Sequence, residues 1–378
     1  MRLWPIAAGV LATIMLGGGT SRATAQNPSA PSASPAPSAP DSAIKVVVGG
    51  FIDTYYAYDF NRPPAFDRAF TTQPARHNEF NVNLAYIDAT ISGDRVRGRL
   101  AFQTGTSVQA NYAGEPRVGQ VSGPQLSRLM QEAFAGYQVT PTLWIDGGIF
   151  LSHLGLESFI SRDNPTYTRS LVADYSPYYQ SGARAMWQAT PRVAAQLYLL
   201  NGWQNISESN SDKAVGVRVD YQSSPDLVLS YYNFIGNEAP DTARKQLRVF
   251  QGVGFKTPLL GRLLVQGEAD YGFQRRVTTG AASWYGLALI GTYHVTPTTT
   301  LTGRAERYDD PEQVIVVTGA EAFHANGASI GFNVSPAPHL AWRTELRGLY
   351  GRHALFPSHD GSLRRNDGFV VTSLGLTF

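Results

Sequence analysis

The chain has 378 residues, of which 16 % are charged, with a formal net charge of +2 and no cysteine. A typical soluble protein carries about 25 % charged residues, and so small a positive excess does not argue for nucleic acid. Disulfides, thiolate sites and a lipid-modified N-terminal cysteine are excluded, while 19 tyrosines, 18 phenylalanines and 37 glycines suit a large barrel with a lipid-facing wall.

Arg2 precedes an apolar run from Leu3 to Leu16, then small residues and Ala23-Thr24-Ala25. This pattern predicts a signal peptide over 1–25, cut before Gln26. The run is short for a spanning helix of about 20 residues. From Gln26 to Ala43 the chain is rich in Pro, Ala and Ser. Such a composition has nothing to bury and reads as an extended periplasmic linker. The remaining residues, 44–378, are expected to form one domain.

From Lys45 onward a rhythm sets in. Short breakers recur at 92–94, 139–142, 189–192, 223–226, 257–261, 295–298 and 335–338. Longer polar connections fall near 59–77, 111–127, 151–177, 202–213, 237–246, 274–282, 309–326 and 351–367. Seven short turns alternating with eight long loops predict about sixteen strands. The expected fold is all-β: a transmembrane antiparallel up-and-down β-barrel with short periplasmic turns and long extracellular loops.

The strands alternate with a period of two. Leu263, Val265, Gly267, Ala269, Tyr271 and Phe273 face one way, and Gln266, Glu268 and Asp270 the other. Val215, Val217, Val219 and Tyr221 oppose Arg218 and Asp220, and Trp342, Thr344 and Leu346 oppose Arg343, Glu345 and Arg347. Charges sit opposite the apolar face, and a water-filled lumen is where they cost least. The second strand changes phase, from Phe80, Val82, Leu84 and Tyr86 to Ile87, Ala89 and Ile91. That predicts a bulge or strand end near Tyr86. The stretch Gly368–Phe378 alternates Val370, Thr372, Leu374, Leu376 and Phe378, as expected of the strand that closes such a barrel.

The segments FIDTYYAYDFNRP (51–63), NEFNVNLAYIDA (78–89), QTGTSVQANYAGEP (103–116), the block 148–182, LLNGWQN (199–205) and RAERYDDP (304–311) resemble the OmpL-like family of outer-membrane β-barrel porins. The likeness runs from about Val46 to Phe378 and is most specific in the 148–182 block. It implies a porin-type barrel in the bacterial outer membrane, and it transfers no site residue. The partners expected are outer-membrane lipids, small hydrophilic solutes, and the barrel-assembly machinery through the Phe378 strand. A homotrimer is one candidate assembly, and nucleic acid is not expected.

In sixteen-stranded general porins the third long loop folds inward. Here that loop carries Glu157, Arg162, Asp163, Arg169 and Asp174 among Phe159, Tyr167 and Tyr175. By analogy these charges are candidates for a constriction; an ordinary surface loop is the plainer account. Candidate pore-lining charges are Arg95, Arg97, Arg99, Glu132, Arg218, Glu268, Asp270, Arg343, Glu345 and Arg347. The first three alternate with Val96, Gly98 and Leu100. They form either a basic patch or a salt-bridge ladder with acids such as Glu132. With Arg184, Arg248, Lys256 and Arg304 the lumenal bases number ten. The acids, Asp53, Glu79, Asp146, Asp220 and Glu306 besides Glu132, Glu268, Asp270 and Glu345, number nine. Near balance predicts weak ion selectivity.

An enzyme would need a nucleophile or a metal, and the sequence holds no HExxH or GxSxG motif. A loop-borne hydrolase site would have to draw on residues such as His353, His359 and Asp360. A calcium site would draw on Asp309, Asp310 and Glu312. Solvated loops account for both groups, so no cofactor, metal or catalysis is expected. The reading is a porin that passes small hydrophilic solutes by diffusion. A barrel enzyme and a plugged structural or adhesive barrel are the alternatives.

Overall fold

The computed structural model describes residues 43–277, 280–319 and 321–378. The expected signal peptide and the linker up to residue 42 lie outside the described residues. Sixteen strands close into one barrel. They are β1 Lys45–Asp59, β2 Phe80–Ser92, β3 Val96–Thr104, β4 Met130–Thr140, β5 Leu143–Leu151, β6 Tyr179–Thr190, β7 Val193–Leu200 and β8 Ala214–Ser224. The second half holds β9 Leu227–Asn237, β10 Leu247–Leu259, β11 Leu263–Arg276, β12 Gly280–Thr296, β13 Thr299–Asp310, β14 Phe323–Ala337, β15 Leu340–Gly351 and β16 Asn366–Thr377. Each pairs antiparallel with its chain neighbours. β16 meets β1 from Phe51 opposite Thr377 to Asp59 opposite Phe369, and full closure removes sheet edges.

Four of the seven short turns share a device. A hydroxyl at the strand end accepts a hydrogen bond from the amide two residues on: Thr140 from Thr142, Thr190 from Arg192, Ser224 from Asp226 and Thr296 from Thr298. This local bond mimics a backbone turn. The ladder register shifts beside each of these four hydroxyl residues.

Alternation sorts the side chains. Val253, Leu289, Ile330, Trp342 and Leu376 stand exposed on the outer wall, while Gln266, Ile290, Glu345 and Ser373 are buried inside. Among the described residues no helix is long and apolar enough to cross a membrane; the wall is made of strands, which satisfy their backbone groups in lipid by closing on themselves.

Two features depart from the sequence reading. The irregularity in β2 lies at Asn83, because Asp53 pairs with Leu84 and Thr54 with Val82. The extra residue turns Leu84 and Tyr86 inward, so they do not share the outer face of Phe80 and Val82. The sixth connection is also shorter than 274–282, since the β11–β12 ladder continues to Arg276 opposite Gly280.

Candidate functional site

The connection of residues 152–178 enters the barrel. Its apolar residues supply the reason. Leu154 and Leu171 join Phe150, Tyr198, Trp203, Phe234, Phe250, Trp284 and Phe323 in one buried cluster. Phe159, Ile160 and Tyr178 join Phe51, Leu84, Tyr86, Val108, Tyr112 and Tyr179 in a second. Tyr167 joins Tyr55, Phe369 and Val371 in a third. A loop with that much apolar surface gains by leaving water. Inside it forms a 3-10 turn, Ser161–Asp163, and one short α-helix, Leu171–Asp174, capped by Ser170 accepting from the Ala173 amide.

The loop's backbone polar groups need partners once they leave water, and the wall supplies charges. On β8, Arg218 donates to the carbonyls of His153 and Gly155 at 2.8 and 2.9 Å. On β11, Glu268 accepts from the Leu156 amide at 2.7 Å. On β13, Glu306 accepts from the Leu171 amide and Arg304 donates to the Thr168 carbonyl, both at 2.6 Å. On β15, Arg343 donates to the carbonyls of Ser161, Asn164 and Pro165, and Glu345 accepts from the Thr168 amide. Asp53 of β1 accepts from the Ser161 hydroxyl. Contacts with β1, β8, β11, β13 and β15 therefore pin the loop on widely separated parts of the wall.

The candidate residues fall into groups. Arg218, Glu268, Arg343 and Glu345 hold the loop. Arg347 is fully buried against Glu306 at 2.7 Å. Asp270 accepts from the Tyr232 hydroxyl at 2.7 Å. Arg99 bridges Asp88 and Glu132 at 3.2 and 2.5 Å, and Arg97 and Arg184 share Asp146 at 2.8 Å each. The alternating arginines thus form a ladder with neighbouring acids. Arg95 leaves the row. It precedes β3 and is exposed at the turn, donating to the carbonyls of Gln138 and Val139. Glu79, counted as lumenal in the sequence reading, instead sits before β2 and pairs with Arg76 at 3.0 Å, about a third exposed.

Exposure separates the interior charges. The Arg218 side chain is 1 % exposed, against 27 % for Arg97, 16 % for Arg162 and 15 % for Asp163. Arg97 lies over the Trp144 ring at 4.4 Å. Burial raises the Asp163 carboxyl to about 6, opposed by the neighbouring Arg162 and by Arg99. Glu157 is buried and accepts from the Ser170 amide, and its pKa too is raised by burial. Arg169 is fully buried, pairs with Asp174 at 3.2 Å and lies over the Tyr178 ring at 4.0 Å.

Several contacts were not legible in advance. Thr72 and Gln73 of the first loop reach down to Asp174 and to the Tyr167 carbonyl, both at 2.6 Å. His153 stacks on Tyr198 with centroids 4.1 Å apart and donates toward the Asn233 carbonyl or Gln180. Burial lowers its pKa to about 4. A Cβ on Gly216 would lie 2.5 Å from that ring, so the position has no room for a side chain. Asp309, Asp310 and Glu312 do not converge. Asp310 accepts from the amides of Val314, Ile315 and Val316, Asp309 faces Arg307 and His324, and Glu312 accepts from Ser283. Asp360 is taken by Ser362, and His353 faces Glu321.

A closed sixteen-stranded barrel with its third long loop drawn inside is the architecture of an outer-membrane porin. The chain belongs to the OmpL-like beta-barrel porin-2 family, whose model matches residues 45–378, and it is an outer-membrane porin channel. No curated protein matches the sequence. Among solved structures it is similar to the outer-membrane channel DcaP of Acinetobacter baumannii, at 13 % identity and TM-score 0.60, covering 89 % of this chain and 98 % of that one. It is also similar to OmpT of Vibrio cholerae in its trimer form, at 11 % identity and TM-score 0.59, covering 89 % and 100 %. The anion-selective porin of Comamonas acidovorans matches at 12 % identity and TM-score 0.58, again over 89 % and 100 %. At these identities the likeness concerns the fold.

Proposed function

We propose that the channel passes small hydrophilic solutes by passive diffusion, with weak ion selectivity, along a path narrowed by the loop of residues 152–178. The observation that carries this reading is the contrast in exposure: inside the barrel, the side chains of Arg97, Arg162 and Asp163 stay 27, 16 and 15 % exposed, against 1 % for the clamp Arg218. Local charge and size at that point then decide what passes. The pairing of interior charges argues for weak selectivity, because Arg99 and Arg97 each meet carboxylates. Liposome swelling with sugars of graded size tests the reading. Entry of small sugars and exclusion of large ones supports it, and no swelling with any sugar defeats it.

A barrel that stays plugged is the second reading. It is favoured by the burial of the loop between three apolar clusters. Planar-bilayer recording separates the two, since a plugged barrel carries no steady current. A homotrimer is proposed as the assembly, supported by the trimer form described for OmpT; mass measurement in detergent tests it. Residues 1–25 are proposed to be cleaved, 26–43 to lie in the periplasm, and the Phe378 strand to engage the assembly machinery.

A further inference from the structure

Two histidines stand together away from the barrel interior, at the end of the barrel that carries the long loops. His324 is the second residue of β14, between the buried, inward-facing Phe323 and Ala325. His353 follows the end of β15. Their ring centroids are 6.0 Å apart, with planes inclined at 41°. The His324 Nδ1 lies 2.5 Å from a carboxylate oxygen of Asp309, and the His353 Nδ1 lies 3.4 Å from one of Glu321. An ionised carboxylate only accepts, so the His324 Nδ1 is the natural site of the proton and its Nε2 keeps the lone pair, while Glu321 stands 3.4 Å from His353, close enough to orient that ring in the same way. Metal-binding histidines are prepared in this way, one ring nitrogen held by a carboxylate and the other free to ligate.

We infer that His324 and His353 bind one divalent transition ion of the Zn²⁺ class through their Nε2 atoms. Two imidazoles on one tetrahedral zinc, with Zn–N bonds of about 2.0–2.1 Å, place their centroids roughly 5–5.5 Å apart. The observed 6.0 Å is slightly wider, a gap that a turn of the His353 ring closes. Among the described residues no group of three or more His, Asp or Glu side chains is set to hold a metal. The site therefore supplies two protein ligands, and water fills the other positions. His353 lies on a loop with its side chain 31 % exposed, which leaves the ring room to turn Nε2 towards the ion. Asp309 is held by Arg307 at 2.5 Å, which fixes the carboxylate behind His324. A bound ion ties the loop after β15 to the start of β14, and Glu321 brings in the loop between β13 and β14. The inference rests on these side chains and not on the permeation reading.

The test is calorimetric titration of zinc chloride into the untagged, folded full-length protein in detergent. One saturable ion per chain is expected. His353→Ala should weaken binding at least tenfold, and Glu321→Gln several-fold through loss of the orienting carboxylate. His359→Ala, a histidine on the same connection but outside the pair, should bind as the native protein does. His353 lies beyond the strand end, so its variant keeps the test open even if His324→Ala fails to assemble. No saturable binding, or native affinity in His353→Ala, overturns the inference.

Discussion

Glu345 accepts two hydrogen bonds from Thr168, at 2.7 Å from the amide and 2.9 Å from the hydroxyl, across 177 positions of sequence. The same carboxylate meets Arg304 at 3.2 Å. One wall residue thus satisfies the loop and neutralises its neighbour, and the loop is as much a part of the barrel interior as the strands are.

Glu345→Ala should therefore loosen the loop without preventing closure of the barrel. Leaving the Thr168 amide and hydroxyl unmatched costs about 1–3 kcal/mol. The urea midpoint of the folded protein in detergent should fall accordingly. An unchanged midpoint would mean that water replaces the carboxylate at no cost.

Removing Glu157 to Tyr167 should raise single-channel conductance in a barrel that still folds. The deletion takes away Phe159 and Ile160 of the second apolar cluster and the carbonyls that Arg343 holds. Planar-bilayer recording checks this, and a folded deletion variant with native conductance places the narrowing elsewhere.

Arg97→Glu should move the reversal potential towards cations, more in dilute salt, because screening lengths shrink to about 8–10 Å near physiological ionic strength. Arg97 is the more exposed of the two arginines on Asp146. Arg95→Glu should act less, since Arg95 is spent on backbone carbonyls at the turn. Equal effects from the two substitutions would count against the placement of Arg97 on the solute path.

Lowering the pH from 7 to 5 should shift selectivity towards anions. The Asp163 carboxyl is raised to about 6, so it is mostly charged at the upper end and mostly neutral at the lower. Its protonation removes a negative charge beside Arg162. Asp163→Asn should shrink the response over this window. A native reversal potential that is flat over this window would show that Asp163 does not face the path.

Phe378→Asp should sharply reduce the folded, heat-modifiable form on a gel. The Phe378 amide and carbonyl exchange hydrogen bonds with Gly50 at 3.1 and 3.0 Å, beside the β1–β16 seam. Its half-exposed ring crosses Gly50 so closely that a Cβ there would meet it at 2.3 Å. A carboxylate at that lipid-facing position carries a desolvation cost. Undiminished folded protein would remove Phe378 from the closure step.

Much of this was readable in one dimension. Alternation such as that from Leu263 to Phe273, and the spacing of the turns, is a local consequence of the two-residue period of a strand. It located fifteen connections and the inward faces of Arg218, Glu268 and Arg343. It foresaw an irregularity in β2 but set it near Tyr86, and so misjudged Leu84 and Tyr86, because the register shifts earlier, at Asn83, where no residue type marks the spot. It also misjudged the sixth connection, because polar residues such as Gln274 and Arg276 suit a strand end as well as a loop.

The sequence by itself determined the strand count, the closure and the inward turn of charges within the strands, such as Arg218, Glu268 and Arg343, though not of Arg95 and Glu79 at strand ends, since strand periodicity is local and lipid admits only one face. The tertiary structure decided what those charges do. Arg218, Arg304, Arg343, Glu268, Glu306 and Glu345 spend their hydrogen bonds on one buried loop, whereas Arg97 stays in part exposed. Hydrogen-bond partners separated by more than sixty residues leave no periodic trace in the chain. The carbonyl and amide groups that take part in most of these bonds are present at nearly every residue, so the sequence does not distinguish them. Only the path of the loop through the barrel brings particular ones within reach.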